Sequence, residues 1–485
     1  MSTPSVSERG VAAVVVLAAG AGTRMKSQTS KLLHRVAGRS LVSCAVDAAR
    51  AVHPEHLVVV VGHQREQVQQ HLAEVAPDVT IAVQASPNGT GDAVRSGLVP
   101  IPDVAGEVVV TMGDVPMLTG ETLAELVETH RRFGDAATVL TTVLDDAGSY
   151  GRIVRDPEGE VTAIVERKDC TPEQVAIGEI NAGIYVFDAQ VLRDGLASLT
   201  TDNAQGELYL TDVIKYARSV GGHVHPQVLN DAWQAEGIND RVQLAAMGRE
   251  VNRRLCEKWM RAGVTIVDPA TTWIEDSVSI DPDVTLLPGT HLQGATTIKS
   301  FATVGPDTTL VDVEVGEGAS VVRSHCVLAV IGEDATVGPY AVLRPGTELG
   351  GRVRLGSFVE TKNAQVGGGA KIAHVAYLGD TTIGEGASIG AASVFANYDG
   401  LAKHTTTVGD HAFVGAGSVL VAPVNIGAGA FVAGGSVITE DVGAGDLGVS
   451  VERQRNVEGW VESKRPGTPA ANAAKAANNE GGQAE

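Results

Sequence analysis

The pattern of hydrophobic and polar positions changes once along the chain, near residue 240. Before that point, short apolar runs alternate with segments in which apolar residues recur at helical spacing. The pairs are "AAVVVLAAG" followed by a helix from about Leu41, "HLVVVVG" followed by "QREQVQQHLAEV", and "EVVVTMGD" followed by "ETLAELVETHRRFG". Strands separated by helices predict an α/β domain with a doubly wound, parallel sheet, which binds ligands at the carboxyl ends of its strands.

The second half of the chain has a six-residue period from Ile274 onward. A glycine often follows the marked apolar residue, as in "VGPYA", "IGEGAS" and "VGAGS". This sustained period predicts a parallel β-helix, in which each coil has three short strands with small residues at the corners. The last uninterrupted run of marked positions is Val408, Val414, Leu420, Ile426, Val432 and Ile438.

Two further segments complete the expected domain organisation. "RVQLAAMGREVNRRLCEKWMRAG" has helical spacing and predicts a linker helix, whereas the tail "KRPGTPAANAAKAANNEGGQAE" lacks apolar periodicity and predicts disorder. We therefore expect an α/β domain over residues 1–240, a linker helix over 241–263, a β-helix over 264–466 and a disordered tail over 467–485. The apolar positions of the linker helix are Val242, Leu244, Met247, Val251 and Leu255.

The charge balance excludes some classes of partner. The chain of 485 residues has 37 Lys plus Arg against 58 Asp plus Glu, a formal charge of −21, which opposes nucleic-acid binding and a basic membrane patch. No apolar run approaches the ~18 residues that span a bilayer. We expect neither nucleic-acid binding nor membrane insertion, and local donors must hold any anionic ligand.

The cysteines and the N-terminus favour a cytoplasmic protein. Cys44, Cys170, Cys256 and Cys326 are scattered without zinc-site spacing, which is typical of reduced thiols. A secretory signal is disfavoured, because only Arg9 precedes the first apolar run and the other basic residues follow it.

The first apolar run leads into a candidate phosphate-binding loop, in "VVVLAAGAGTRMKSQTSKLLH" over residues 14–34. This loop lacks the spacing of a P-loop and of a dinucleotide-binding turn. Gly20 and Gly22 leave backbone N–H groups accessible, and Arg24 and Lys31 add cations, a combination that suits a polyphosphate. From these residues alone, a tight turn with exposed basic residues remains an alternative.

A longer series of motifs resembles one enzyme family. "LAAGAGTRMKSQTSK" is similar to the G-x-G-T-R-M…K signature of sugar-phosphate nucleotidyltransferases, which make nucleotide-sugars from a sugar 1-phosphate and a nucleoside triphosphate. Further matches follow in order within residues 11–241: "QASPNGTGDAV", "GDVP", "YGRI", "VERKD", "EINAGIY", "NAQGELYLTD" and "EGIND".

This resemblance implies a role for each matched residue. Arg24 and Lys31 would hold the triphosphate and promote the reaction, and Asp114 and Asn239 would coordinate Mg²⁺. The amino-sugar phosphate would lie against Tyr150, Gly151, Glu166, Asn181 and Asn239. The nucleotide site would comprise Leu17, Ala18, Gly20, Gly22, Gln84, Gly89 and Thr90.

Two positions depart from the family pattern in the first half. Ser30 stands where proline is common before the lysine, and we expect a loop that is less rigid before binding. Asp92 stands where histidine is frequent, and it adds a negative charge near the nucleotide. Both departures bear on rate and affinity more than on the reaction itself.

The β-helix carries a second group of candidate residues. "ANYDGLAKHTTT", residues 396–407, interrupts the six-residue period, and loops that leave a regular solenoid often carry function, although a tolerated insertion is the alternative. The motifs "VLRPG", "FVETKN", "AKIAHVAYLGD" and "NYDG…K" are spaced so that stacked coils bring polar residues to one face.

This half resembles the left-handed β-helix acyltransferases. Together, the halves resemble the bifunctional N-acetylglucosamine-1-phosphate uridylyltransferase and glucosamine-1-phosphate acetyltransferase family, up to about Pro466. The resemblance implies UTP and acetyl-coenzyme A as substrates, and a homotrimer formed through the β-helix. His374 would be the general base. The sugar phosphate would contact Arg344, Lys362, Tyr377, Ser388 and Lys403, and acetyl-coenzyme A would contact Asn397, Tyr398, Ala416, Gly434 and Trp460.

Two departures and two alternatives qualify the acetyltransferase interpretation. Ser388 replaces an expected asparagine and Ala416 an expected serine, so we expect a slower acetyl transfer. One alternative keeps only the nucleotidyltransferase and makes the β-helix an oligomerisation module. Another is a non-catalytic assembly protein with related domains, which the intact "GTRM…K", Asp114 and Asn239 disfavour.

Overall fold

The structure is a computed structural model that describes residues 10–450, 454 and 456–481. It divides into two compact units between Thr296 and Thr297. None of the helices in these residues is long and apolar enough to cross a membrane.

The first unit begins with alternating strands and helices. The strands are β1 Ala13–Ala18, β2 Arg35–Val36, β3 Arg39–Ser40, β4 His56–Val61, β5 Thr80–Val83, β6 Glu107–Met112, β7 Ala137–Val143, β8 Arg152–Arg155, β9 Val161–Val165, β10 Glu179–Asp188 and β11 Val224–Leu229. The α-helices are α1 Leu41–Arg50, α2 Arg65–Val75, α3 Thr90–Leu98, α4 Gly120–Phe133, α5 Pro172–Val175, α6 Ala189–Ser198 and α7 Asp212–Ser219. Short 3₁₀ helices cover Thr23–Met25, Lys31–Leu33 and Ala232–Ala235.

The main sheet has the order β11-β7-β10-β6-β1-β4-β5, with β8 and β9 attached through β10. β1 lies parallel to both β4 and β6, as the sequence predicts. β10 differs, because it is antiparallel to β6 and β7, so the sheet is mixed. Antiparallel neighbours need no crossover helix, and β8, β9 and the four-residue α5 lead into β10 without one.

Both faces of this sheet are covered. Val14 and Val16 of β1 point to one apolar core, and Val15 and Leu17 point to the other. Central strands that are buried on both faces read as continuous apolar runs, and this explains "AAVVVLAAG". The strands therefore form a rigid platform, and their carboxyl ends lie beside the loops that carry the candidate residues.

The first unit continues into α8 Arg241–Arg261, close to the predicted linker helix. Its N-cap is Asp240, whose side chain accepts hydrogen bonds from two backbone N–H groups. Asn252 joins α8 to the next segment, because its amide donates to the Thr272 carbonyl and accepts from the Ile274 N–H. The first strands of the β-helix therefore belong to this unit: β12 Thr265–Ile266, β13 Trp273–Ile274, β14 Ser279–Ile280, β15 Thr285–Leu286 and β16 His291–Gln293.

The second unit contains the remaining parallel strands. They are β17 Thr297–Ile298, β18 Thr303–Val304, β19 Thr309–Val315, β20 Ser320–Val321, β21 His325–Ile331, β22 Thr336–Val337, β23 Val342–Leu343, β24 Thr347–Leu349, β25 Arg354–Val366, β26 Lys371–Ile383, β27 Ser388–Ile389, β28 Val394–Ala396, β29 Thr406–Val408, β30 Phe413–Val414, β31 Val419–Val421, β32 Val424–Ile426, β33 Phe431–Val432, β34 Val437–Ile438 and β35 Leu447–Gly448.

These strands form the left-handed parallel β-helix expected for hexapeptide repeats. The marked apolar residues are buried, and a small buried residue often stands two positions earlier, as Ala412 does before Val414. Two inward side chains per six residues fill each side of a coil. The predicted period is confirmed.

The C-terminal segment differs from the prediction. α9 Trp460–Lys464 precedes this tail, and α10 Pro469–Gly481 is helical within residues 467–485, where the sequence predicts disorder. Residues 482–485 lie outside the described residues. The physical reason is the run of alanines in α10, since alanine has the highest intrinsic helix propensity.

Candidate active sites

A cavity of 310 Å³ lies at the carboxyl ends of β1 and β6. It contains most of the predicted nucleotide and metal residues. Its wall includes Leu17, Ala18, Gly20, Lys31, Gln84, Gly89, Thr90, Asp114 and Asn239, and also Ala19, Leu32, Pro87, Ala93, Met112 and Glu207. The nine predicted residues come from five segments of the chain, which the sheet brings together.

Lys31, Asp114 and Asn239 form the polar centre of this cavity. The Lys31 ammonium lies 2.5 Å from Oδ2 of Asp114 and 3.4 Å from Oδ1 of Asn239. Asp114 follows β6, and its carbonyl accepts the Ile238 N–H at 3.0 Å, which fixes the segment that carries Asn239. Two oxygen ligands therefore converge on one positive charge.

The opening loop is shaped so that Lys31 can enter this centre. Gly22 has a φ of +58°, and a Cβ on it would lie 2.8 Å from the Cβ of Lys31, so only glycine leaves room for the lysine stem. Arg24 is exposed and makes no ion pair among the described residues, and it does not line the cavity. The structure therefore separates the two cations that the sequence groups together.

Ser30 makes a contact that a proline would not make. Its backbone N–H donates to Oε1 of Gln67 at 3.0 Å, and the amide of Gln67 donates to the Gln28 carbonyl at 3.0 Å. These hydrogen bonds join the loop to α2. They restrain the loop at the position where the sequence predicts less rigidity.

The predicted sugar residues form a second group within the first unit. The Asn181 N–H donates to the Gly151 carbonyl at 3.0 Å, and Glu166 lies beside Gly151. Oε1 of Glu166 accepts from the Thr211 hydroxyl at 3.4 Å. Burial raises the pKa of the Glu166 carboxyl and exceeds the lowering effect of that hydrogen bond. Gly151, Glu166 and Asn181 are thus brought together.

Tyr150 connects this group with the polar centre. Its hydroxyl donates to Oε2 of Glu236 at 3.1 Å, and Glu236 precedes Gly237, which lies beside the Asp114 carboxylate. Burial raises the pKa of Tyr150, so its hydroxyl remains protonated and acts as a donor. The sequence analysis did not identify Glu236, although it lies in the quoted motif "EGIND".

A cluster of charged residues lies on β25, β26 and the loop between β28 and β29 in the second unit. Lys362 lies 3.3 Å and 3.4 Å from the two carboxylate oxygens of Asp380, and Asn397 Nδ2 lies 2.5 Å from Oδ2 of Asp380. Burial alone would raise the pKa of Asp380, but hydrogen bonds from Asn363, Asn397 and Lys362 outweigh it and the pKa is lowered. Asp380 is therefore an anionic anchor, which the sequence analysis missed.

Lys403 adds a second ammonium to the same place. Lys362 lowers the pKa of Lys403, because two adjacent like charges repel each other, and Arg344 acts in the same direction. Arg344 itself pairs with Glu360 at 3.0 Å. Three cations, Arg344, Lys362 and Lys403, against the two carboxylates of Asp380 and Glu360 leave an excess of one positive charge, which is a local environment suited to a phosphate.

Gly379 leaves room for the side chains of this cluster. It pairs with Lys362 across β25 and β26, and a Cβ on it would lie 2.5 Å from both Tyr377 Oη and Asn397 Nδ2. A larger residue would displace Tyr377 and would push Asn397 away from Asp380. The absence of a side chain at Gly379 therefore allows Lys362, Tyr377, Asp380 and Asn397 to form one compact cluster.

The loop over residues 396–407 is compact. Oδ1 of Asp399 accepts from the N–H groups of Leu401 and Ala402 at 2.8 Å and 2.7 Å, and its Oδ2 lies 2.7 Å from Nε2 of His404. Tyr398 pairs with Lys403 in an antiparallel bridge. This hairpin presents Asn397 at one end and Lys403 at the other.

The remaining predicted acetyltransferase residues lie outside the charged cluster. His374 is exposed on β26 beside Ser357, and no hydrogen bond joins it to the cluster among the described residues. Ser388 pairs with Lys371 and Phe413 on adjacent coils. Ala416 and Gly434 stack on successive coils. The Trp460 ring is 42% exposed, and the Arg465 guanidinium lies over it at 5.3 Å from the ring centroid.

The residues near Asp114 also satisfy the requirements of a hard cation. The described residues include no group of three or more His, Cys, Asp or Glu side chains that would hold a metal ion. Asp114 and Asn239 instead supply one carboxylate and one amide oxygen, around a point that already holds the Lys31 ammonium. Magnesium is commonly bound by one or two protein oxygens together with substrate phosphates, so the residues fit such an ion.

Comparisons with known proteins agree with both halves of the structure. A family model described as nucleotidyl transferase matches residues 13–241, and one described as hexapeptide repeat of succinyl-transferase matches residues 405–440. The chain is 55% identical over 473 residues to the "Bifunctional protein GlmU" of Pseudarthrobacter chlorophenolicus, covering 97% of this chain and 96% of that protein. Proteins of the same name from Kineococcus radiotolerans and Corynebacterium glutamicum are each 54% identical, covering 97% and 96% of this chain and 96% and 97% of theirs.

A nucleotidyltransferase domain followed by a hexapeptide-repeat acyltransferase domain defines a transferase with two active sites. The chain belongs to the family of bifunctional GlmU proteins, which are enzymes of UDP-N-acetylglucosamine synthesis. Nucleotidyltransferase domains of this family depend on a divalent metal ion, and hexapeptide-repeat domains are typical of oligomers.

Proposed function

We propose that the β-helix transfers the acetyl group of acetyl-coenzyme A to glucosamine 1-phosphate, and that the α/β domain then joins the product to UTP with release of pyrophosphate. The observation that supports this most is the presence of two separate polar clusters, Lys31–Asp114–Asn239 and Lys362–Asp380–Lys403. Each is suited to a phosphorylated ligand. The domain limits 1–240, 241–263 and 264–466 are part of this proposal.

The first site acts by position and charge. A sugar phosphate is anionic at neutral pH, so its oxygen can attack the α-phosphorus of UTP without a protein nucleophile. Lys31 is held within the cavity, where its ammonium would offset the charge of the triphosphate, and Arg24 would close over it from the exposed loop. Glu166, Asn181 and Gly151 would bind the amino sugar, with Tyr150 as a hydroxyl donor.

Magnesium is the metal that we assign to this site. Asp114 and Asn239 would hold it together with oxygens of the substrates. When bound, Mg²⁺ would lower the repulsion between the two phosphorylated substrates. Before the metal ion binds, Lys31 supplies the positive charge between the oxygens of Asp114 and Asn239.

The second site requires removal of a proton from an amine. We assign His374 as the general base, because an imidazole accepts a proton near neutral pH and His374 is exposed on the strand that leads to Tyr377 and Asp380. Lys362, Lys403 and Arg344 would bind the phosphate of the sugar, with Tyr377 and Ser388 near the ring. Asn397, Tyr398, Ala416, Gly434 and Trp460 would lie along acetyl-coenzyme A.

We further propose a homotrimer formed through the β-helix, and a cytoplasmic location. Exposed apolar residues on adjacent coils support the first part: Tyr340 and Phe358 stack at 5.4 Å, with exposed Val375 in the next coil. The four cysteines, all free, support the second.

Two half-reactions test the proposal. Release of free coenzyme A thiol is measured with and without glucosamine 1-phosphate, in the absence of UTP. Release of pyrophosphate is measured from UTP and N-acetylglucosamine 1-phosphate, in the absence of acetyl-coenzyme A. We expect His374→Ala to lower only the release of coenzyme A thiol, by about 10²–10⁴-fold, and Asp114→Asn to lower only the release of pyrophosphate.

Each negative result has a distinct meaning. Absence of sugar-dependent thiol release, in a preparation that still forms UDP-N-acetylglucosamine, would leave the β-helix as an oligomerisation module. Absence of both reactions and of UTP binding with Mg²⁺ would instead favour an assembly protein.

A further inference from the structure

The carboxamide of Gln84 has only one chemically consistent orientation. Its Nε2 lies 3.1 Å from the Gly89 carbonyl oxygen and 3.0 Å from Oδ2 of Asp92. A carbonyl and a carboxylate only accept hydrogen bonds, so the atom that faces both must be the NH₂ group. The oxygen Oε1 of Gln84 is therefore left to serve the cavity that this residue lines.

Both acceptors belong to the start of one anchored helix. The Gly89 carbonyl also accepts the Ala93 N–H at 3.2 Å, the first helical hydrogen bond of α3, and Asp92 lies in the first turn of α3. The Gly91 N–H donates to the Leu208 carbonyl at 2.8 Å and fixes this turn to the neighbouring segment. The Gly89 carbonyl cannot turn away from Gln84 without breaking the first hydrogen bond of the helix, and the backbone of Asp92 is fixed by its place in the first turn.

The cavity wall therefore presents one acceptor and one donor with fixed positions. Among the described residues, no hydrogen bond is made to Oε1 of Gln84, and no acceptor takes the Gly89 N–H. A base with an N–H beside a carbonyl, such as uracil, matches this pair. Cytosine has an acceptor nitrogen and an amino group at the corresponding positions and mismatches both.

We propose that Asp92 is a positioning residue that locks Gln84 with Oε1 toward the base, and that it thereby makes the site select uridine over cytidine nucleotides. Without Asp92, rotation of the amide by half a turn would cost only the hydrogen bond to Gly89. With Asp92 in place, the same rotation would set Oε1 against a carboxylate, where two acceptors repel each other. This inference rests on the proposed function, because it concerns the nucleotide of that reaction.

A purely structural role for Asp92 makes a different prediction. An acidic residue in the first turn of a helix is stabilised by the helix dipole, whatever ligand is bound. Loss of that effect would lower the stability of α3 and the use of all nucleotides alike. The ratio of UTP use to CTP use separates the two roles, because only the locking role changes it.

The experiment compares kcat/KM for UTP with kcat/KM for CTP, with N-acetylglucosamine 1-phosphate as the second substrate. The Asp92→Asn variant keeps the shape of the side chain but offers an NH₂ group that can donate a hydrogen bond to the oxygen of a rotated Gln84, and Asp92→Ala removes the acceptor. The matched control is Glu121→Gln, because Glu121 also lies in the first turn of a helix, α4, and its replacement also removes one negative charge.

We expect the UTP/CTP ratio to fall about tenfold in both Asp92 variants and to stay unchanged in Glu121→Gln. An unchanged ratio in Asp92→Asn and Asp92→Ala would overturn the proposal, whatever happens to the absolute rates. Equilibrium binding of UTP and CTP, followed by calorimetry, gives the same ratio without turnover. If the wild-type protein bound both nucleotides but transferred no uridylyl group, the proposed function would fail, and the binding ratios would still decide the role of Asp92.

Discussion

At the scale of single residues, Lys31 occupies the point between Asp114 and Asn239 that we assign to a metal ion. The Asp114 side chain is only 16% exposed, and a carboxylate that is largely removed from water without a nearby cation is costly. The ammonium at 2.5 Å offsets part of that cost. The same lysine thus has two tasks: it neutralises Asp114 before substrates bind, and it is available to the triphosphate afterwards. In the first task the ammonium competes with a metal ion for the oxygens of Asp114 and Asn239. In the second task it moves to the triphosphate and leaves those oxygens to the metal.

The first prediction concerns Lys31→Ala. We expect uridylyl transfer to fall by about 10²–10³-fold, because a cation beside the reacting phosphates is lost. In the absence of nucleotide, we expect the variant to bind Mn²⁺ more tightly than the wild type, because the ammonium no longer competes for the oxygens of Asp114 and Asn239. Electron paramagnetic resonance of free Mn²⁺ measures this affinity. Lys26→Ala, at an exposed lysine of the same loop, is the control, and weaker Mn²⁺ binding by Lys31→Ala would contradict the prediction.

The second prediction concerns the pH dependence of stability at Glu166. Burial raises the pKa of this carboxyl above its value of about 4.3 in the unfolded chain. The folded state therefore binds the proton more tightly, and the stability that Glu166 contributes is present at low pH and is lost as the pH rises through the raised pKa. Glu166→Gln removes this loss, so we expect its Tm relative to wild type to increase between pH 4 and pH 8.

The control for Glu166 is Glu173→Gln. Hydrogen bonds at the start of α5 lower the pKa of the exposed Glu173, so its replacement should have the opposite and smaller pH dependence. Equal Tm differences for Glu166→Gln at pH 4 and pH 8 would show that the carboxyl is not destabilised by burial.

At the scale of elements, the loop over residues 396–407 behaves as a small hairpin attached to the β-helix. Its shape depends on Asp399, which accepts two backbone N–H groups and contacts His404. Those bonds lower the pKa of Asp399, the backbone N–H of Ala402 most of all, so the carboxylate stays ionised and the loop stays ordered across the neutral range. The hairpin thereby fixes the separation of Asn397 and Lys403.

The third prediction follows from this arrangement. We expect Asp399→Ala to lower kcat/KM of the acetyl transfer by about tenfold to a hundredfold, mainly through KM for glucosamine 1-phosphate, because Asn397 and Lys403 lose their fixed positions. Uridylyl transfer should not change. Asp441→Ala is a matched control, because Asp441 accepts the backbone N–H of Asn425 elsewhere on the β-helix. A similar loss in both variants would show a general effect on the coils.

The elements also show which features a sequence reveals. The six-residue period of the β-helix and the strand–helix alternation are local, since each marked residue is buried by its own coil or sheet face, and both predictions are confirmed. β10 escaped prediction as an antiparallel strand because strand direction depends on partners far along the chain. Three carboxylates were missed for the same reason, although each lies in a quoted motif. Only the fold shows that Asp380 lies beside Lys362, that Glu207 lines the nucleotide cavity and that Glu236 lies beside Tyr150.

At the scale of the whole molecule, the two clusters have no residue in common and lie in different compact units. In the second unit, His374 makes no hydrogen bond to the Lys362 cluster among the described residues, although the proposed acetyl transfer needs both. The exposed apolar residues Tyr340, Phe358 and Val375 lie on the coils around His374. A site that is completed by another copy of the chain would account for both observations.

The fourth prediction tests that arrangement by complementation. His374→Ala and Lys362→Ala should each abolish most of the sugar-dependent thiol release when expressed alone. If each active site takes His374 and Lys362 from different copies, co-expression of the two variants forms some mixed oligomers in which one site has both wild-type residues, and activity returns in part. If both residues act within one copy, every site in the mixture lacks one of them, and co-expression restores nothing. Each variant carries a different tag, and successive purification on the two tags verifies that mixed oligomers are present before either result is interpreted.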